Sequence, residues 1–223
     1  EDLRHILRDD HFSGQQLLIL GGGSNILFTK DFDGVVLMPT MKGIDPIKEN
    51  SDHYYVKVAG GENWHQVVSW CVERNYGGIE NLSLIPGNMG AAPIQNIGAY
   101  GVELKDVFAE LEAVHIKTGD VRIFTKDDCR FGYRNSIFKT ELKDQFIITA
   151  VTLRLSKKPV FNISYGAIEK ELQVMGIKEL SVSAISQAVT HIRSGKLPDP
   201  AKIGNAGSFF KNPIVPTQLF DKI

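Results

Sequence analysis

Two polar stretches of the chain hold side chains that could take part in catalysis. The first precedes a predicted strand and contains Arg130, Tyr133, Arg134 and Lys139. An arginine in such a segment could bind a carboxylate through a bidentate fork of N–H donors, and Arg134 is the candidate for that role. For Arg130 and Lys139 a solvated surface segment is the preferred interpretation.

The second stretch runs from residue 204 to residue 213, where Ser208 lies between a glycine and two phenylalanines. Its hydroxyl could be held out over a packed apolar base, although a serine at such a place is more often a turn residue. No G-x-S-x-G pattern is present, so the nucleophile of a hydrolase is not indicated. His65 and His115 lie within predicted regular elements, where core or surface histidines are the better interpretation.

The stretch that must position these side chains runs from residue 84 to residue 101. It holds four glycines, two prolines and no charged residue. A plain surface loop of that length would carry charges, and a buried strand would not tolerate so much glycine and proline. The composition predicts an ordered loop whose main-chain N–H groups make contacts, with a tight turn between two strands as the alternative.

A second glycine-rich loop follows a short apolar run and consists of Gly21, Gly22, Gly23, Ser24 and Asn25. Such a loop can direct several N–H groups at a phosphate, although a structural glycine turn is about as good an interpretation. It is not a Walker A loop, because no lysine follows the glycines, and no helix follows it as in a G-x-G-x-x-G motif. Two neutral loops of this kind could hold a pyrophosphate from both sides, which favours a dinucleotide such as FAD.

Composition limits the function further. The chain has 223 residues, 43% hydrophobic content and a net charge of −1, so no general affinity for nucleic acids or anionic membranes is implied. Cys71 and Cys129 form no C-x-x-C pattern, which favours a reducing compartment and argues against a disulfide framework or a zinc site. Neither a signal peptide nor an apolar run long enough to span a bilayer is visible. We therefore expect a cytoplasmic protein without a metal.

Periodicity predicts a mixed α+β chain. Strands are expected at residues 17–20, 35–38, 54–59, 111–116, 121–124 and 146–155, the first of them buried on both faces. Helices are expected at residues 3–9, 64–74, 166–175 and 183–194, the last with Ser183 as its N-cap. Both prolines of residues 196–200 disfavour helix, so a domain boundary is expected there. The two ends are typical of a fragment, because the first residues resemble the middle of a helix and the last ones a helix just beginning.

The motifs taken together resemble the UDP-N-acetylenolpyruvoylglucosamine reductases, type I, over almost the whole chain. The matching segments are residues 21–25, 86–101, 131–136, 196–200 and 204–213. The resemblance implies an FAD-binding fold of the vanillyl-alcohol-oxidase type with two α+β subdomains. It divides the chain into an incomplete first FAD-binding subdomain at residues 1–41, a second one at residues 42–197, and the start of a truncated substrate-binding domain at residues 198–223.

The same resemblance implies the chemistry and the roles of single residues. FAD, reduced by NADPH, would reduce UDP-N-acetylglucosamine enolpyruvate to UDP-N-acetylmuramate for peptidoglycan synthesis, with only small molecules as partners of a monomer. Ser208 would be the general acid, Arg134 would stabilise the charge at the substrate carboxylate, and the substrate-binding residues would be Tyr133, Tyr165, Lys196 and Asn212. The cofactor-binding residues would be Gly21, Gly22, Gly23, Ser24, Asn25, Pro86, Gly87, Gly90, Ala91, Ala92, Gln95, Asn96, Gly98, Tyr100 and Gly101.

Two alternatives stay open at this point. One is another FAD-dependent oxidoreductase of the same fold, acting on an alcohol with oxygen as acceptor. The other, for a fragment, is a nucleotide-binding module without turnover. Members of the family continue well beyond the residue that corresponds to Ile223, so this polypeptide by itself is expected to be inactive.

Overall fold

The computed structural model describes residues 2–9, 14–165, 167–196, 198, 202–203 and 210–220. The helices of this part are α1 (Asp2–Arg8), α2 (Trp64–Glu73), α3 (Leu104–Val107), α4 (Lys126–Cys129), α5 (Ile168–Val174), α6 (Val182–Lys196) and α7 (Thr217–Phe220). The strands are β1 (Leu17–Ile19), β2 (Val35–Leu37), β3 (Ile44–Glu49), β4 (His53–Ala59), β5 (Gly98–Ala99), β6 (Val102–Glu103), β7 (Phe108–His115), β8 (Val121–Thr125) and β9 (Phe146–Ser156).

A five-stranded antiparallel sheet forms the centre of the fold. Its strand order is β3-β4-β9-β7-β8, so the strand predicted at residues 146–155 lies in the middle. That strand is rich in β-branched and apolar residues and pairs along most of its length with both neighbours, which explains why its pattern was the clearest in the chain. The strands predicted at residues 111–116 and 121–124 correspond to β7 and β8, which pair as an antiparallel hairpin across residues 116–120.

Helix α2 covers one part of the sheet. Trp64, Val67, Val68 and Cys71 are buried, and their spacing places them on one helical face. The side chain of Asn63 accepts a hydrogen bond from the N–H of Gln66 and begins the helix. The helix predicted at residues 64–74 is therefore confirmed.

A second, smaller hydrophobic core joins α5 to α6. It contains Ile168 and Leu172 on α5, and Ile185, Val189 and Ile192 on α6. Both helices were predicted, but Ser183 is not the N-cap of α6, because that helix already begins at Val182.

The side chain of Ser181 caps α6 instead and accepts a hydrogen bond from the N–H of Ala184 at 3.1 Å. Ser181 and Ser183 have the same capping propensity, so the sequence did not separate them.

The N-terminal strands depart from the predictions in one respect. Strands β1 and β2 form a parallel pair of their own, and all three residues of β1 are half-buried, so the expectation of a strand buried on both faces is wrong.

Strand β3 was not predicted, because Pro46 lies within it. The sheet accommodates this proline because β3 is an edge strand with a register shift between Pro46 and Lys48.

The described residues contain neither a membrane-spanning helix nor a metal-binding cluster. None of their helices combines the length and the apolarity that crossing a membrane requires. No group of three or more His, Cys, Asp or Glu side chains lies close enough together to hold a metal ion in that part of the chain. Cys71 and Cys129 are both buried and unpaired, and burial raises the pKa of each thiol to about 12. The boundary predicted at residues 196–200 and the three-part division of the chain stay predictions.

Candidate functional site

The two glycine-rich loops lie against each other. A Cβ atom on Gly21 would lie 3.3 Å from Cβ of Ala91, and one on Gly22 would lie 3.1 Å from Cα of Gly87. The side-chain amide of Asn25 also donates a hydrogen bond to Oε1 of Gln95 at 3.3 Å. The loops at residues 21–25 and 86–101, which are far apart in sequence, therefore form two walls of one site.

The main-chain N–H groups of the first loop are unpaired within the part of the chain that the structure describes. Among the described residues, the backbone N–H groups of residues 21–25 donate to no protein acceptor. The second loop differs from the expectation of an open N–H cradle: the N–H groups of Met89, Gly90, Ala91 and Ala92 all bond to carbonyls of the protein. In the second loop, Gly87, Asn88 and Gln95 line the cleft that it shares with the first loop. Among the described residues, the backbone N–H groups of these three donate no hydrogen bond to another backbone group.

A cleft of about 200 Å³ lies between the two loops. Its lining carries no charged side chain and consists of Ile19, Leu20, Gly21, Gly22, Gly23, Ser24, Asn25, Ile26, Trp64, Pro86, Gly87, Asn88, Ala91, Ala92, Gln95 and Ile97. A second cavity of about 190 Å³ adjoins it on the other side of the contact between Gly21 and Ala91 and reaches Phe138 and Ile148. The two cavities share Ile19, Gly21, Asn88 and Ala91, and Asp144 is the charged residue in the lining of the second. In the cleft between the loops, main-chain N–H groups and the side chains of Ser24 and Asn88 are donors available to an anion.

The glycines are needed for this close approach. Gly87 has φ +113°, a conformation that other residues rarely adopt, and a Cβ there would lie 3.1 Å from Oγ of Ser24. A Cβ on Gly90 would lie only 2.9 Å from the carbonyl oxygen of Ile148. A neutral, backbone-lined groove of this kind fits the pyrophosphate of a dinucleotide, because N–H groups rather than lysines would bind it.

The structure divides the predicted cofactor-binding residues into two groups. The residues that line the cleft or the adjoining cavity are Gly21, Gly22, Gly23, Ser24, Asn25, Pro86, Gly87, Gly90, Ala91, Ala92 and Gln95. The others, Asn96, Gly98, Tyr100 and Gly101, line neither. Asn96 is fully buried, and its amide bonds to Glu103, to the carbonyl of Gly132 and to the N–H of Lys105. Its side chain therefore holds the loop together, and a role in cofactor binding for these four residues stays a prediction.

Arg134 is attached to the far end of the second loop. Its Nη2 donates to the carbonyl of Gly98, and its Nη1 lies 3.5 Å from the carbonyl oxygen of Asn96 and 3.3 Å from Oε1 of Glu103. Its backbone has φ +51°, which is uncommon for a residue with a side chain and is typical of sites under functional constraint. The guanidinium is thus held by two carbonyls of the second loop and by the carboxylate of Glu103 in β6, and it is only part-buried.

Other predicted substrate residues lie around the same end of the loop. The centroid of the Tyr133 ring lies 5.1 Å from Cζ of Arg134 and 5.3 Å from Nζ of Lys211. Tyr165 is 59% exposed, and its Cβ would be 3.4 Å from a Cβ on Gly101. Tyr165 therefore lies beside Gly101, and Tyr133 lies beside Arg134, which itself bonds to Gly98.

The remaining predicted residues are not brought to this cluster by any contact. Lys196 ends α6 and is exposed, and Asn212 is exposed in the extended segment before α7. Ser208, the predicted general acid, lies outside the described residues. These roles stay predictions.

A polar cluster supports the start of the second loop from behind. Nδ1 of His65 accepts a hydrogen bond from the N–H of Leu84 at 3.1 Å, and Leu84 has φ +57°. Burial lowers the pKa of His65, and the positive charge of Arg193 lowers it further. Burial also lowers the pKa of Arg193, while the nearby Tyr100 raises it. His65 is therefore a neutral acceptor that fixes the loop, in agreement with the prediction of a structural histidine.

The surface interpretation of the other basic residues is also supported. Arg130 is exposed and pairs with Glu141, whose Oε1 lies 2.6 Å from Nη1. Lys139 is exposed as well, with Nζ 3.5 Å from the carbonyl oxygen of Arg134. His115 bonds locally with Thr118 in the β7–β8 turn.

Three residues of the site were not singled out from the sequence. Asn88 lines both cavities, and Asn81 donates to the carbonyls of Tyr100 and Asn162 and so ties the second loop to residues 161–165. Glu103 bonds to Arg134 and caps α3. A capping-box pattern, Glu103 followed by Asp106 three positions later, was the available signal for Glu103, but it gave no indication of the contact with Arg134.

Comparison with known proteins agrees with this geometry. Residues 1–125 match the model of a family described as FAD binding domain. The chain is 55% identical over 213 residues to a UDP-N-acetylenolpyruvoylglucosamine reductase from Amoebophilus asiaticus, covering 96% of this chain and 63% of that protein. It is 49% identical over 224 residues to the protein of the same name from Flavobacterium johnsoniae, covering 100% of this chain and 66% of that protein. The chain thus spans somewhat less than two thirds of the length of these relatives.

Among solved structures, the fold is similar to that of a UDP-N-acetylenolpyruvylglucosamine reductase (MurB) from Thermus caldophilus. The TM-score is 0.63 at 23% identity, and the match covers 98% of this chain and 70% of the other. Together with the FAD binding domain match, this confirms the predicted α+β, FAD-binding fold of the vanillyl-alcohol-oxidase type.

Proposed function

Because this chain belongs to the FAD binding domain family and is 55% and 49% identical to two UDP-N-acetylenolpyruvoylglucosamine reductases, we propose that the protein is an FAD-dependent reductase of UDP-N-acetylglucosamine enolpyruvate. The product would be UDP-N-acetylmuramate. Bound FAD would supply the hydride transfer between a nicotinamide reductant and the enolpyruvyl double bond. The residues of the chain supply binding, orientation and the proton.

One observation supports the proposal most strongly. The backbone N–H groups of residues 21–25 have no acceptor among the described residues, and these residues line an uncharged cleft closed on its other side by Gly87 and Asn88. A pyrophosphate supplies the acceptors that such a loop lacks, and hydrogen bonds from N–H groups to charged oxygens contribute roughly 1.5–3 kcal/mol each. A second contribution comes from the absence of a side chain on the glycines, which lets the cofactor approach the backbone.

Arg134 is proposed to bind the carboxylate of the substrate. A cation held where negative charge develops lowers the barrier, because its attraction is stronger in the transition state than in the ground state. Ser208 is proposed as the general acid that protonates the carbon next to that carboxylate. Tyr133, Tyr165, Lys196 and Asn212 are proposed to contact the rest of the substrate.

The finer assignments are part of the same proposal. NADPH would be the reductant, the pathway would be peptidoglycan synthesis, and the protein would act as a monomer in the cytoplasm. Two buried, unpaired cysteines agree with a reducing compartment.

The test uses the full-length protein that contains this chain. Purified protein should be yellow, or should become yellow on addition of FAD, and anaerobic NADPH should bleach the flavin. Addition of UDP-N-acetylglucosamine enolpyruvate to the reduced protein should restore the oxidised flavin spectrum. The same mixing with UDP-N-acetylglucosamine, which lacks the enolpyruvyl group, is the matched control and should leave the flavin reduced.

The outcomes separate the alternatives. A protein that stays colourless with FAD contradicts the flavin assignment and leaves a nucleotide-binding module. A yellow protein that is reoxidised by oxygen but not by the enolpyruvyl substrate indicates another oxidoreductase of the same fold. The variant Ser208→Ala should retain flavin reduction by NADPH and lose turnover; if flavin reduction falls equally, the role of Ser208 is wrong.

A further inference from the structure

We propose that Glu103 is a positioning residue that orients the guanidinium of Arg134, so that one defined edge of Arg134 is presented to the carboxylate of the substrate. This inference rests on the proposed function, since it takes the ligand of Arg134 to be the substrate carboxylate. Glu103 itself does not need to touch the substrate.

The carboxylate of Glu103 is held by three different groups. Its Oε1 lies 3.3 Å from Nη1 of Arg134, and its Oε2 lies 2.7 Å from Nζ of Lys105 and 3.1 Å from Nδ2 of Asn96. The side chain is only 19% exposed. A carboxylate with this many donors has one stable orientation, so it is a fixed reference for Arg134 rather than a mobile surface partner.

The support of Glu103 continues into the core. Asn96 is fully buried and donates its second amide hydrogen to the carbonyl of Gly132, next to the turn that carries Arg134. The backbone of Glu103 is fixed too, because its N–H donates to Asp106 at 2.8 Å in the capping box that begins α3. Glu103 thus links the second loop, α3 and the turn at residues 132–135.

Two of the five N–H donors of Arg134 have no acceptor among the described residues. A guanidinium has five N–H groups, two on each terminal nitrogen and one on Nε. The two on Nη1 are directed at Glu103 and at the carbonyl of Asn96, and one on Nη2 is used by the carbonyl of Gly98. Among the described residues, Nε and the second hydrogen of Nη2 have no acceptor. We assign the Gly98 carbonyl to the Nη2 hydrogen nearer Nη1, so that the remaining Nη2 hydrogen and that of Nε form the parallel fork that a carboxylate accepts in a bidentate manner.

The surroundings of Gly98 indicate how little freedom this arrangement has. A Cβ on Gly98 would lie 2.7 Å from Nη1 of Arg134 and 2.9 Å from Cγ of Glu103. The pair is therefore packed against the loop backbone. Without the carboxylate of Glu103, Nη1 would lose its charged acceptor, and the free edge would no longer be fixed. Displacement of a substrate-binding group by about 1 Å is sufficient to reduce a rate on the order of 100-fold.

The chain offers a matched control in the pair Arg130 and Glu141. This is also an arginine–glutamate ion pair, with 2.6 Å between Nη1 and Oε1, but both side chains are more than 60% exposed and lie away from the cleft lining. The variants Glu103→Gln and Glu141→Gln remove the same charge from similar pairs. They differ in whether the arginine is the proposed ligand of the substrate.

The experiment uses the full-length protein and measures its two half-reactions separately by stopped flow. Glu103→Gln should slow reoxidation of the reduced flavin by UDP-N-acetylglucosamine enolpyruvate by about 10-fold or more. Reduction of the flavin by NADPH and the affinity for FAD should stay within about twofold to threefold of wild type. Glu141→Gln should behave as wild type in all three measurements. A merely structural role would lower FAD affinity and both half-reactions together, and that result would overturn the proposal.

A second variant separates positioning from capping. Glu103→Asp keeps the charge and the ability to cap α3, but withdraws the carboxylate from Arg134 by one methylene, so the same selective loss is expected. If Glu103→Asp is indistinguishable from wild type, or if both variants fail to fold, Glu103 is a capping or folding residue and the proposal is wrong.

A double-mutant cycle gives a further check, because Glu103→Gln should have little additional effect in an Arg134→Ala background. Full additivity of the two substitutions would contradict positioning. If the wild-type protein itself binds no FAD, or its reduced flavin does not react with the substrate, the proposed function is at fault, and that result is seen before any variant is made.

Discussion

The substitution Gly22→Ala gives the most direct test of the backbone-lined cleft. A Cβ at this position would lie 3.1 Å from Cα of Gly87 and 3.2 Å from Oδ1 of Asn88. The φ of Gly22 is not in the left-handed region, so alanine is compatible with the backbone and the two loops must separate by a few tenths of an ångström. The change therefore affects the width of the cleft more than the fold.

The expected loss of FAD affinity follows from the hydrogen bonds at stake. If the displacement weakens one N–H bond to a charged phosphate oxygen, the loss is about 1.5–3 kcal/mol, which corresponds to roughly a 10- to 100-fold increase in Kd. The assay is a titration of apo-protein with FAD, followed by flavin fluorescence, with thermal unfolding of the apo-protein in parallel.

The control for this test is Gly195→Ala. Gly195 lies within α6, and a Cβ there would have no heavy atom within 4 Å. This variant should bind FAD as wild type does, and its free energy of unfolding should increase by about 0.5–1 kcal/mol, because alanine is the better helix former. Unchanged FAD affinity in Gly22→Ala, with normal folding of both variants, would refute the assignment of the cleft.

Three further predictions concern stability. The pKa of His65 is lowered in the folded state, so at a pH near the ordinary pKa of histidine the unfolded chain binds more protons than the folded one. The contribution of His65 to the free energy of unfolding should be fully present above that pH and should be lost as the pH falls towards the folded-state pKa. His65→Gln should reduce this pH dependence, measured by urea titrations at several pH values. Trp64→Phe removes Nε1, which donates to the buried carbonyl oxygen of Leu82 at 2.9 Å, and should lower the free energy of unfolding by roughly 1–3 kcal/mol in denaturant titrations. An unchanged free energy of unfolding would show that water replaces the bond. Gly90→Ala places a Cβ 2.9 Å from the carbonyl oxygen of Ile148 and should destabilise the fold by about 1–3 kcal/mol, measured in the same way, whereas a neutral result would mean that the loop moves away from the sheet.

Local patterns in the sequence were sufficient for the main elements of the fold. The apolar spacing of α2 and the β-branched run of β9 predicted a helix and a strand within a residue or two of their ends. Helix α2 buries one face, so its periodicity marks the side that meets the core, whereas β9 is buried on both faces and is marked by its run of apolar and β-branched residues. Strand β3 and the N-cap of α6 were not predicted correctly, because Pro46 is tolerated only at a sheet edge and neighbouring serines cap a helix equally well.

The sequence by itself determined that the chain has two uncharged, glycine-rich loops, and it predicted that they bind a ligand through their backbones and that Arg134 rather than Arg130 has a functional role. Only the tertiary structure decided which backbone N–H groups of the two loops are bonded to the protein. Among the described residues, the N–H groups of residues 21–25 have no protein acceptor, whereas those of residues 89–92 bond to carbonyls of the protein. It also brought Glu103 to Arg134. Hydrogen-bond partners of a main-chain group and ion pairs between distant residues depend on how the chain folds back on itself, and neither composition nor spacing contains that information.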